Sequence, residues 1–100
     1  MTAVTLTTVQ HKLLGPLLCL TVAPGLAWNF TRDEALTLAR AMIALGHKRS
    51  LANEVYLSPQ ACDHEFYAKV TDEGFLVLAD AQEVLLDWDV LSTLAEELTY

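Results

Sequence analysis

The densest group of side chains able to do chemistry is Cys62-Asp63-His64-Glu65. A thiolate and an imidazole can hold a zinc ion, and a cysteine served by a histidine and an acid can act as a nucleophile, but both chemistries need groups that converge. Neighbours on an extended chain point to opposite sides, so only Cys62 and His64 could share an ion, and nothing in the sequence brings His11 or His47 to complete it. There is no GxSxG, HExxH, paired CxxC or glycine-rich phosphate loop. Four glycines in the whole chain leave little backbone to cradle a phosphate. The expectation is a protein that is not an enzyme, holds no metal and uses no cofactor.

The second group is acidic and larger. Residues 1 to 50 carry Lys12, Arg32, Arg40, Lys48 and Arg49 against Asp33 and Glu34, a net charge of +3. Residues 51 to 100 carry Lys69 alone against Glu54, Asp63, Glu65, Asp72, Glu73, Asp80, Glu83, Asp87, Asp89, Glu96 and Glu97, a net charge of −10. A phosphate backbone is repelled by such a half, which argues against direct nucleic-acid binding. A solvated acidic face can serve solubility alone. Segregation points further, because a one-signed field costs compactness and steers association with basic surfaces. The candidate partner-binding residues are therefore Asp72, Glu73, Asp80, Glu83, Asp87, Asp89, Glu96 and Glu97.

These side chains have to be positioned by one small domain. One hundred residues with 53% apolar and 19% charged side chains can bury a single core, expected over 1–100 with a pseudo-repeat at 1–49 and 50–100. Cys19 and Cys62 read as buried apolar thiols in a reducing, cytoplasmic setting. Residues 13–27, LLGPLLCLTVAPGLA, have the apolar run and small residues of a cleaved leader. The polar, β-branched TAVTLTTVQ ahead of them favours a buried strand and a turn instead. No apolar segment is long enough to span a bilayer.

Periodicity supplies the elements. AVTLTTV, 3 to 9, alternates as a strand; LLCLTV, 17 to 22, is apolar enough for burial on both faces; LAWNF, 26 to 30, is a short extended piece. Thr31-Arg32-Asp33-Glu34 is a capping box, and Ala35, Leu38, Ala39, Met42 and Ile43 make one apolar stripe, so a helix is expected over 31–46 with Gly46 as its left-handed stop. Pro59 limits strands in the connector from 50 to 63, where only Glu54 to Leu57 reads as extended. HEFYAKVT and FLVLAD form a hairpin around Asp72-Glu73-Gly74, and EVLLDW extends again. Asp87 caps a last helix with Trp88, Leu91, Leu94, Ala95 and Leu98 on one face. Trp28 and Trp88, each at a helix start, read as aromatics anchoring the helices onto a sheet.

The order strand, strand, short strand, cap, helix occurs twice, which predicts an α+β fold of two ββ(β)α units, their strands in one antiparallel sheet with both helices on one face. The function expected is that of a small acidic binding protein that docks on the basic, nucleic-acid-binding surface of a larger protein and inhibits it. In mode of action this is similar to the inhibitors of phages and mobile elements, such as anti-CRISPR, anti-restriction and nuclease-immunity proteins, a likeness of size and charge alone. The alternative is a self-assembling homodimeric subunit, the +3 half of one chain meeting the −10 half of another and the free sheet face forming an apolar seam.

Overall fold

The computed structural model describes residues 4–79 and 81–99. Its elements are β1 (Thr5–His11), β2 (Gly15–Ala23), β3 (Leu26–Phe30), α1 (Arg32–His47), a 3-10 turn (Arg49–Leu51), β4 (Glu54–Leu57), β5 (Phe66–Thr71), β6 (Gly74–Ala79), β7 (Gln82–Asp87) and α2 (Trp88–Leu98). The class is α+β, every strand pair is antiparallel, and each run of strands ends in a helix. Both helices start where the sequence marks them. Thr31 Oγ1 accepts from the Glu34 amide at 3.3 Å while Glu34 Oε1 accepts from the Thr31 amide at 2.8 Å, and Asp87 Oδ1 accepts from the Val90 amide at 2.9 Å. Each cap satisfies amides that a helix start leaves without intrahelical partners.

The strands divide into two hydrogen-bonded sheets, β1-β2-β3 and β4-β5-β6-β7, where a single sheet was expected. The physical reason lies at the outer edge of β3. There the Asn29 amide donates to Cys62 Sγ at 2.9 Å, the Ala27 carbonyl meets His64 Nε2 at 2.8 Å, and Trp28 Nε1 donates to the Glu65 carbonyl at 2.9 Å. The Cys62 and His64 side chains thus occupy backbone bonds that a fourth strand would have made, and the Trp28 side chain ties the same segment to the sheet. The sheets meet through rings instead, Phe66 standing edge-on to Trp28 at 5.1 Å and to Phe30 at 6.2 Å. Such edge-to-face pairs are favoured by the ring quadrupoles.

One core joins both halves of the chain: Leu20, Trp28 and Phe30 from the first sheet, Phe66, Phe75 and Leu86 from the second, and stripes of both helices. Of residues 13–27, the stretch with leader-like composition, 15–23 form the central strand of the first sheet and 26–27 begin β3. The edge strand β1 contributes little to this core. Only Leu6 of its seven residues is even partly covered.

Three details of the expected helices and thiols differ. Helix α1 runs past Gly46 to His47, and the chain leaves it at Lys48 in extended conformation (φ −149°), so Gly46 sits inside the helix and not in a left-handed stop. Its Cα faces Trp88, whose Cε3 lies 4.0 Å from where a β-carbon would be. The buried stripe takes Leu45 where Ile43 was expected; Ile43 is 48% exposed. The 100° step per residue puts position 43 at the margin of that stripe, and the packing of α1 against α2 leaves that margin outside. Cys19 and Cys62 are free and only partly buried: Cys19 lies on the central strand β2 between Thr7 and Asn29, on the side away from the buried Leu20, and Cys62 lies beside the edge strand β3.

Candidate functional site

The acidic side chains reach the surface by three routes. Asp72 and Glu73 form the two-residue loop of the β5–β6 hairpin, and the pairing of Gly74 with Asp87 brings the start of α2 beside that loop. Asp89, Glu96 and Glu97 line the exposed face of α2, opposite its buried stripe of Leu91, Leu94, Ala95 and Leu98. Glu83 pairs with Leu78 at the far end of the β6–β7 hairpin, four residues and about 13 Å from Asp87, so it stands apart from the rest. Asp80 lies outside the described residues.

Two of these carboxylates already have work inside the fold. Asp72 forms an ion pair with Arg49 at 3.2 Å, the one ion pair among the described residues. The same guanidinium lies 5.7 Å over the ring of Trp88, and both Arg49 Nη1 (3.0 Å) and Trp88 Nε1 (2.9 Å) donate to the Asp72 carbonyl. Arg49 and Trp88 therefore clamp the hairpin loop to the junction of the helices. Asp87 is used as a cap. Glu73, Asp89, Glu96 and Glu97 are exposed, and among the described residues none of them forms an ion pair. Glu96 and Glu97 lie in the last turn of α2, where no basic residue stands, so they face the negative end of the helix dipole.

Next to this acidic face runs a groove of about 520 Å³ between α1 and α2. Its floor is Met42 and Ala95, both buried; Ile43 and the ring of Trp88 form its apolar sides. Asp89 and Glu96 stand on its rim, seven residues or about 10.5 Å apart along one helix. The lining is mixed, since His47, Ser92 and Thr99 border the apolar Met42, Ile43, Trp88 and Ala95; with carboxylates at two points of its edge, the cleft suits a partner that places an apolar group in the middle and cations on both sides. Sequence reasoning placed Asp89 and Glu96 but missed Ile43 and the groove itself. The available signal was weak: α1 is apolar around most of its circumference, which leaves more surface than one stripe can bury.

The Cys62 and His64 pair does not converge on an open site. Both side chains are engaged with the backbone of β3, His64 also lying 5.5 Å from the Trp28 ring. Trp28 is an anchoring aromatic and is fully buried, whereas Trp88 anchors through Phe75, at 5.9 Å, yet keeps part of its ring in the groove.

The second sheet also has a bare face. Helices cover the side carrying Phe66, Ala68, Phe75, Val77 and Leu86, and the register sends Tyr56, Tyr67, Leu76 and Leu85 to the other. Tyr56 is 57% exposed there. The Tyr67 hydroxyl donates to Glu54 Oε2 at 2.7 Å, and that carboxylate raises the phenol's pKa; the Glu65 carboxylate acts on Tyr56 in the same direction. Among the described residues no helix is long and apolar enough to cross a membrane. Comparison with protein-family models, with curated proteins and with solved structures returned no match.

Proposed function

We propose that the protein is a non-catalytic binding protein that acts in the cytoplasm by docking its acidic helix face on a basic surface of a larger protein. Where that surface holds a nucleic acid, carboxylates would occupy the lysines and arginines that otherwise hold phosphates, and binding would inhibit by competition. The observation that carries this reading is the exposed face of α2, which presents Asp89, Glu96 and Glu97 with no basic residue among them. Two acids at the wrong end of the helix dipole are a standing cost to the free protein, and a cationic partner relieves it. The test is capture of partners from host lysate by the wild type and by the triple variant Asp89→Lys, Glu96→Lys, Glu97→Lys. The expected partner is basic, is lost to the variant, and dissociates as salt rises. A partner held equally by both proteins, or unaffected by salt, overturns the reading.

The uncovered face of the second sheet favours a second reading, self-assembly through an apolar seam that includes Tyr56, Leu76 and Leu85. Light scattering separates the two: a dimer that persists in high salt and is broken by Leu85→Lys belongs to this reading, and a stable monomer at micromolar concentration eliminates it.

A further inference from the structure

We infer that the groove between α1 and α2 recognises one face of a cationic amphipathic helix. One apolar side chain of that helix enters between Ile43 and Trp88, and two basic side chains on either side of it meet Asp89 and Glu96. The inference rests on the docking reading above and narrows it from a basic surface to a defined sequence pattern.

Three features converge on this occupant. The first is charge: the two rim carboxylates are exposed, form no ion pair among the described residues although His47 lines the same groove, and take part in neither a cap nor the Arg49 clamp. The second is spacing. Asp89 and Glu96 are two helical turns apart, and a partner helix lying alongside α2 presents its own residues i and i+7 at the same repeat of about 10.5 Å. The residue between them, at i+3 or i+4, then faces the groove. The third is the shape and lining of the cleft, which is formed by two packed helices, so the ridge of a third helix fits it as ridges fit grooves elsewhere. Of its two apolar sides, Trp88 is held from behind by Phe75, Arg49 and the Asp72 carbonyl. A preorganised wall of this kind keeps the ordering cost of binding low. The ligand pattern is therefore basic, two or three intervening residues, large apolar, two or three intervening residues, basic.

The probe is a fluorescein-labelled, alanine-based helical peptide carrying Leu at its centre, with Arg three residues before and four residues after it. Fluorescence anisotropy measures its affinity for the intact protein, with circular dichroism and melting to verify that each variant is folded. Ile43→Ser and the pair Asp89→Asn, Glu96→Gln alter exposed positions, and each is expected to weaken binding about tenfold or more, as is Leu→Ala in the peptide. The peptide-side change keeps the test valid if a protein variant fails to fold. If the peptide without Leu binds as well as the parent and Ile43→Ser is silent, the groove is not the recognition site, and docking by charge alone still stands. If neither peptide binds at low salt, the groove proposal fails regardless of what the lysate experiment returns. If binding survives Asp89→Asn with Glu96→Gln, the cationic flanks are wrong.

Discussion

Gly74 shows how much one position can decide. It closes the β5–β6 hairpin at φ +145°, and a β-carbon there would overlap the carbonyl oxygen of Leu86 on β7. The conformational requirement is legible in the sequence, because Asp72-Glu73-Gly74 between two alternating runs is a hairpin signal. The steric requirement is not, since it comes from a strand eight or more residues downstream. Gly74→Ala should therefore cost roughly 2–4 kcal/mol, combining backbone strain with displacement of β7. Urea denaturation measures it, and a loss under about half a kcal/mol, the size of an ordinary surface change, would show that the hairpin relaxes freely. Ile43 and Gly46 teach the opposite lesson. Both were assigned by position within α1, one to the core and one to a stop, and both were displaced by what α1 packs against. A helix that is apolar on most sides does not say which side is in.

Strand and helix positions follow the sequence closely because period and caps are local quantities. β3, β4 and the start of both helices fall where alternation, Thr31 and Asp87 put them. How the sheets end is a different matter. Periodicity reports which face is buried and says nothing about what completes an edge, so the closure of β3 by Cys62 and His64 could not be read in advance. The consequence can be measured. Cys62→Ala removes the acceptor of a part-buried amide and should lower stability by about 1–2 kcal/mol, with faster hydrogen exchange at Asn29. His64→Ala should cost less, because the Ala27 carbonyl lies at the surface and water can replace the imidazole. Equal and negligible effects of both substitutions would mean that the edge is held by the Trp28 and Phe66 rings alone.

At the scale of the molecule, the division of charge was legible by counting residues, and the placement of that charge was not. Folding brings Arg49 from the basic half to Asp72 in the acidic half and so spends one cation internally, while Glu83 is carried to the far end of a hairpin. What remains concentrated is the acid on α2, beside a groove that no charge count contains. The other extreme of the chain has a different fate. β1 is an edge strand of seven residues whose stretch TLTTVQ carries no charge and no proline, and it rests on the molecule almost entirely through its ladder to β2. With so few apolar contacts holding it, β1 should act as a separate opening unit, releasing and reclosing many times for each unfolding of the core. Native-state exchange should then show β1 amides opening at a small fraction of the free energy that protects those of Leu20 and Trp28, and uniform protection across the sheet would show one cooperative unit. A strand that opens in this way also exposes the free edge of β2. Heat or concentration would therefore drive chains to pair strand to strand there before the rest of the fold has begun to melt.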